Sequence, residues 1–198
     1  MNKKIYLDYA ATTPIHEEVA DYMYQVLKED FGNPSSIHHY GRKAKMIIEQ
    51  SRKTIANYIK ASIGEIFFTS GATESCHTIF YSSIKDLGIT RIISSSAEHH
   101  CTTHTLEAIK NKFTEVEIVL LPTDKHGRIQ DEVLIQELKK NDSPTLVSLM
   151  HGNNEIGTMH DLKSIGQICK DHGALFMVDT AQTFGKYHID VNLSLIHI

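Results

Sequence analysis

The chain reads as an α/β protein with a mostly parallel sheet and helices on its faces, and two observations predict this. Beyond residue 65, apolar runs of strand length alternate with amphipathic helical stretches, the rhythm of successive βαβ units. Four of the segments that follow predicted strands, at 70–75, 96–100, 151–157 and 179–182, are rich in small or polar residues. Strand C-termini of a parallel sheet share one edge, and ligands of open α/β sheets bind outside it.

The elements follow in order. Tyr6 to Pro14 is a short extended piece running into a turn. Helical periodicity then places Val19, Met23, Val26 and Leu27 on one face, and the helix gives out at Gly32-Asn33-Pro34. A longer amphipathic helix follows, with Ala44, Ile47, Ile48, Ile55, Tyr58 and Ile59 inward and Arg42, Lys43, Lys45, Glu49 and Arg52 elsewhere. Glu65–Phe68 has the composition of a short strand, and Thr73–Leu87 that of a helix closed by Gly88. Strands are expected at Arg91–Ser95, Glu115–Leu121, Thr145–Met150 and Ala174–Val178. Helices between them are expected at His99–Asn111, Asp131–Lys140 and Asp161–His172, the last stopped by Gly173. No internal repeat or low-complexity segment interrupts the pattern.

A chain of 198 residues is long enough for a full core. Its net charge of −4, with lysines and acids interleaved, gives no general attraction to nucleic acid or to an anionic membrane surface. No apolar run approaches the ~18 residues of a membrane span. The Lys3-Lys4 pair has no apolar stretch behind it, so no signal peptide is expected and a cytoplasmic location is. Cys76, Cys101 and Cys169 are an odd number without close pairing, which points to reduced thiols rather than a disulfide scaffold or zinc ribbon.

The strand ends carry the candidate chemistry. In Thr69-Ser70-Gly71-Ala72-Thr73-Glu74-Ser75 a turn of small residues opens a helix, whose first N–H groups and dipole suit an anion such as phosphate; the same pattern also makes a capped helix with no ligand. The segment Ala97-Glu98-His99-His100 brings an imidazole that can stack on a planar ring. His100 and His104, one turn apart with Cys101 between them, are an alternative metal pair, but no accompanying carboxylate motif supports it and no metal ligand set is assigned. Asn153 and Asn154 offer amide donors and acceptors, or simply turn. Asp179 ends the apolar run from Ala174, and a buried carboxylate there needs a partner, which a protonated ring nitrogen supplies; Gln182 lies within reach of another polar edge of such a ring. Together these describe a pocket for a flat, phosphorylated, nitrogen-containing aromatic cofactor. Pyridoxal phosphate fits better than a dinucleotide, since neither a Gly-x-Gly-x-x-Gly nor a P-loop lysine motif is present.

In these motifs the chain resembles the N-terminal half of the cysteine desulfurases of the NifS/IscS type, within the class V aminotransferases. YLDYAATTP, FGNPSS, FTSGATES, AEHH, MHGNNEIGT and VDTAQTFGK occur in the family's order and spacing, from Tyr6 to about Asn192. The resemblance implies the large domain of a fold type I pyridoxal-phosphate enzyme over residues 16–192, incomplete, with residues 1–15 associated with the small domain and an atypical terminus at 193–198. It implies that Asp179 pairs with the pyridinium nitrogen, Gln182 with the phenolic oxygen, and Ala72 and Thr73 with the phosphate, while His99 stacks on the ring as the catalytic histidine. Asn154 would lie beside cofactor and substrate, and Asn33 would line the substrate side. In the family, L-cysteine yields L-alanine and an enzyme persulfide, whose sulfur passes to iron–sulfur scaffold proteins or other acceptors, and members are homodimers.

Departures from the family pattern qualify this. The family's cofactor-bearing lysine, nucleophilic cysteine and substrate-binding arginine match no position in these 198 residues, so the stretch alone is expected to be inactive. Lys186 corresponds to a different family lysine, just after the glutamine turn. Gly152 stands where the family commonly carries a larger apolar residue, an expectation of a looser loop. A selenocysteine lyase or other class V relative, and a non-catalytic binding or dimerisation fragment, are the alternative readings.

Overall fold

A computed structural model describes residues 4–191; the atypical terminus at 193–198 lies outside the described residues. The chain divides into two compact units, Met1–Phe67 and Phe68–Ile198.

In the first unit, α1 (Glu17–Glu29) and α2 (His39–Ile59) are joined by the FGNPSS turn. Glycine is needed twice here. A Cβ on Gly32 would meet the Tyr40 carbonyl oxygen at 2.3 Å, and one on Gly41 the Ser36 carbonyl oxygen at 2.4 Å, so the turn can lie against the start of α2 only without side chains. The expected strand at Glu65–Phe68 does not form. Ile63–Glu65 is instead a 3₁₀ turn, with the Glu65 carboxylate accepting from the Ser62 N–H and hydroxyl at 2.7 Å each. A strand needs a hydrogen-bonded neighbour, and all four described strands pair only with one another, so an apolar composition is not sufficient.

The second unit holds the sheet: α3 (Ala72–Leu87), β1 (Arg91–Ser95), α4 (His100–Lys112), β2 (Glu117–Leu121), α5 (Asp131–Leu138), β3 (Thr145–Met150), α6 (Leu162–Asp171) and β4 (Leu175–Asp179). These match the expected elements to within two residues at each end; β2 starts at Glu117 rather than Glu115 because Val116 N–H is used in a turn onto Phe113. Strand order is β2-β1-β3-β4, every pairing parallel.

Side-chain alternation distributes the strands over two cores. Ile92, Leu146 and Met177 pack with Cys76, Phe80, Cys101, Leu106 and Ile109 of α3 and α4. Ile93, Val147, Leu149, Phe176 and Val178 pack on the opposite face with Leu134, Leu138, Ile165 and Cys169 of α5 and α6. Helices therefore cover both faces. The path runs from β1 outward to β2, then returns past β1 to β3 and β4, so the order reverses between β1 and β3. A crevice opens at such a reversal, outside the strand C-termini.

Candidate active site

The loops at that reversal are tied together by side chains from one strand end to the next. Glu98, after β1, is buried and accepts from Met150 N–H at the end of β3 at 3.0 Å. Asn153 donates to the Ala97 carbonyl at 2.8 Å, and its own side-chain oxygen accepts from the N–H groups of Glu155 and Ile156 at 2.8 and 3.0 Å. His151 N–H donates to the Asp179 carbonyl at 2.8 Å, and its ring Nδ1 bonds the Thr183 hydroxyl at 2.9 Å. His160 braces the same loop: Nε2 accepts from Ile129 N–H at 3.3 Å, which leaves Nδ1 as the donor to the Met150 carbonyl at 3.0 Å. Burial and the neighbouring His160 hold the His151 imidazole below its ordinary value.

Gly152 belongs to this bracing, and the expected looser loop is corrected. A Cβ there would lie 2.7 Å from Cγ2 of buried Thr183, so the small residue lets the β3 loop close onto the turn after β4.

Asp179 closes β4 in register with Met150. It is half-buried, its Oδ1 accepts from Ala181 N–H at 2.8 Å, and among the described residues it has no lysine or arginine partner. Its charge is felt nearby. Burial first, and the Asp179 charge second, push the Glu98 carboxyl up to about 8 against the pull of its bond from Met150 N–H. Burial, then Cys101, then Asp179 push the Cys76 thiol up to about 12. Asp179 thus bears on both the Glu98 carboxyl and the Cys76 thiol, without a lysine or arginine pair among the described residues.

Of the residues expected at the site, Gln182 is half-buried in the turn after Asp179. His99 is exposed and caps α4, its Nδ1 accepting from Cys101 N–H at 3.1 Å. Ala72 and Thr73 form the exposed first turn of α3, where Glu74 accepts from the N–H and hydroxyl of Ser70 at 2.6 Å each. Asn154 is half-buried and donates to Glu155 at 2.8 Å, so the two adjacent asparagines divide their work: Asn153 holds the loop and Asn154 is left at its surface. Asn33 lies in the first unit, its side chain accepting from Ser35 N–H at 2.9 Å.

Glu98, His160 and the Cys76–Cys101 pair were not singled out by sequence reasoning. Glu98 stood inside a recognised motif, but its burial depends on Met150, fifty-two residues away.

Residues 5–196 match the model of the aminotransferase class-V family. The chain belongs to the class V aminotransferases. It is 42% identical to cysteine desulfurase IscS of Dictyoglomus turgidum, over 98% of this chain and 48% of that protein. It is 38% identical to cysteine desulfurase IscS of Methanosarcina thermophila, over 100% of this chain and 49% of the relative. Among solved structures, a NifS-like protein superposes with a TM-score of 0.90 at 31% identity, covering 98% of this chain and 53% of its own. SspA in complex with cysteine superposes with a TM-score of 0.87 at 32% identity, covering 96% and 55%. This class V chain therefore spans about half the length of the curated relatives it matches, and it carries the parallel-sheet fold of cysteine desulfurase structures.

Proposed function

We propose that this chain is the cofactor-holding portion of a pyridoxal-phosphate cysteine desulfurase. The observation that carries the reading is Asp179, an acid at the C-terminal end of a central strand without a cationic partner among the described residues, whose charge weighs on Glu98 and Cys76. A protonated pyridine nitrogen is the complementary group, so the residues present fit the cofactor of the family. Bound pyridoxal phosphate supplies an electron sink for bond breaking on an amino-acid substrate.

The chain's own residues do the rest. Asp179 keeps the ring nitrogen protonated, and the Ala181 N–H bond on its Oδ1 fixes the carboxylate's direction. Gln182 would donate to the phenolic oxygen, while Ala72 and Thr73 would hold the phosphate at the positive end of α3. His99 would stack on the ring, and the bond from Cys101 N–H to its Nδ1 holds the imidazole's orientation. Asn154 would contact the substrate. The relative solved with cysteine supports L-cysteine as that substrate. By the resemblance, the complete protein works as a homodimer, forms L-alanine and a persulfide, and passes sulfur to an iron–sulfur scaffold or another acceptor. The 198 residues alone hold the cofactor non-covalently and turn over no cysteine, since the family's lysine and nucleophile match none of their positions.

Equilibrium dialysis of pyridoxal phosphate against the purified chain tests this. Saturable binding weakened tenfold or more by Asp179→Asn is expected; binding that Asp179→Asn leaves unchanged overturns the assignment. Release of alanine from L-cysteine by the complete protein, with a thiol reductant present, tests the activity.

A further inference from the structure

The polar cluster beneath Asp179 contains more than the cofactor reading uses. Cys76, one turn into α3, and Cys101, at the start of α4, bring their sulfurs to 3.7 Å. Both thiols are free and buried, 3% and 8% exposed. Both thiol sulfurs and a carboxylate oxygen of Asp179 lie within 4.8 Å of one another, and the Thr102 hydroxyl is 4.0 Å from the Cys76 sulfur. Among the described residues no other group of three potential ligands converges in this way. His100 and His104, the metal pair considered from sequence, only stack on each other at 5.4 Å and stand apart from it.

We propose that Cys76, Cys101 and Asp179 form a binding site for a thiophilic divalent cation of the Zn²⁺ class, with a fourth position open to water.

The donor geometry is that of such an ion. Thiolates at about 2.3 Å from a tetrahedral Zn²⁺ sit about 3.8 Å apart, which matches the observed separation without movement of either helix. Two sulfurs and one oxygen suit a borderline-soft ion and not Mg²⁺ or Ca²⁺, which take oxygen ligands. Three protein ligands with one open position is the pattern of an accessible zinc centre rather than a closed structural one. On binding, each thiol loses its proton to solvent, two protons leave in all, and neither sulfur nor metal changes oxidation state. The bare ligand set of two thiolates and one carboxylate carries −3, so the loaded site carries −1.

Asp179 is shared with the cofactor reading, and the competition that follows rests on that reading: a cation on the carboxylate and a ring nitrogen on it exclude one another. The cation site itself does not depend on it.

Co²⁺ titrated into the purified, reduced chain is the test. One equivalent is expected to raise a near-ultraviolet thiolate-to-cobalt charge-transfer band together with the intense visible bands of tetrahedral cobalt, and one equivalent of Zn²⁺ is expected to bleach both. Cys76→Ser or Cys101→Ser is expected to remove at least half of the charge-transfer intensity, Asp179→Asn to weaken Co²⁺ binding tenfold or more, and Cys169→Ser to change nothing. Should the cysteine variants fail to fold, X-ray absorption of the Zn²⁺-loaded wild-type chain decides, with two sulfur and two lighter ligands expected. No charge-transfer band in the wild type, a band left at full intensity by either cysteine substitution in a folded variant, unchanged affinity in Asp179→Asn, or a shell with any other sulfur count overturns the site. Dialysis with pyridoxal phosphate, repeated with and without Zn²⁺, separates the two readings: a cobalt site without saturable cofactor binding rejects only the cofactor, and a fivefold or larger loss of cofactor affinity in Zn²⁺ is the expected competition.

Discussion

The two ends of the parallel sheet bury charge in opposite ways. At the N-terminal end, Arg91 opens β1 and is 1% exposed, yet its charge is met by two acids: Glu117 of β2 forms an ion pair at 2.9 Å from Nε, Glu137 of α5 pairs with Nη2, and the Glu137 carbonyl accepts from Nη1 at 3.0 Å. At the C-terminal end, Glu98 and Asp179 sit close enough for one charge to raise the other's pKa, and neither has a lysine or arginine among the described residues. A buried charge met by its opposite holds elements together; acids left unmatched at the edge where the strand order reverses leave room for a cationic ligand. The molecule separates structure from binding along the strand direction.

The largest test of that contrast is at the matched end. Arg91→Ala leaves the largely buried Glu137 with only Lys140, itself mostly exposed, as a cation at 2.6 Å. Breaking a buried pair from one side costs about 3–5 kcal/mol. We expect a loss near the lower figure in urea unfolding monitored by circular dichroism, and a loss under about 1 kcal/mol, the scale of an exposed pair, would show that the network contributes no more than surface charges do.

At the unmatched end, removing a charge has the opposite sign. The Glu98 carboxyl is raised from its ordinary 4.5 to about 8 in the folded chain, so between those values the folded state binds more protons than the unfolded one. Stability is therefore greatest below about pH 4.5 as far as this group is concerned, falls as pH rises through that window, and levels off above about pH 8. Glu98→Gln keeps an oxygen to accept from Met150 N–H and removes the ionisation. Unfolding free energies across pH 5–9 are expected to lose much of their decline in the variant, on the order of a few kcal/mol at the alkaline end. Parallel pH profiles for the two proteins would mean that Glu98 is solvated as an ordinary carboxylate.

Gly152→Ala sharpens the comparison without touching charge. The added Cβ meets Thr183 Cγ2 at 2.7 Å, and Thr183 cannot turn away freely while its hydroxyl is held by His151. Overpacking of this kind costs about 1–3 kcal/mol. Loss of stability together with faster amide exchange in 151–160 is the expected pattern; an unperturbed loop would show that the contact yields easily.

What was legible in the sequence follows from range. The elements from α3 to β4 could be read because each is specified by its own periodicity and its own cap or turn, such as Gly88 and Gly173 after helices, both with positive φ. The strand-end clusters were visible for the same reason. The strand expected at Glu65–Phe68 failed because a strand is specified by its neighbour as much as by its residues. Long-range closure hid the rest. Arg91, charged and at a strand start, looks solvated until Glu137 arrives from forty-six residues on, and the Cys76–Cys101 contact joins two helices twenty-five residues apart in sequence. Asp179 was found because an acid closing an apolar run is a local anomaly; Glu98, its electrostatic partner, lies outside any apolar run and gave no such signal.

The smallest predicted effect links these two acids directly. If Asp179 holds part of the Glu98 shift through its charge, Asp179→Asn lowers the Glu98 midpoint while leaving the larger share, which comes from burial, in place. The displacement is expected to be a fraction of a pH unit, below the ~1.4 kcal/mol that one full unit represents. Carboxyl titration followed by NMR of selectively ¹³C-labelled glutamate can resolve it. A cation bound at Asp179 must act in the same direction, since it cancels the same negative charge. Loading the chain with Zn²⁺ should therefore lower the Glu98 midpoint as the asparagine substitution does, and adding Zn²⁺ to Asp179→Asn should lower it much less. Equal Zn²⁺ effects in both proteins would place the cation elsewhere, and no shift in Asp179→Asn would mean that the two acids at this edge are insulated from one another and that burial alone sets the Glu98 proton.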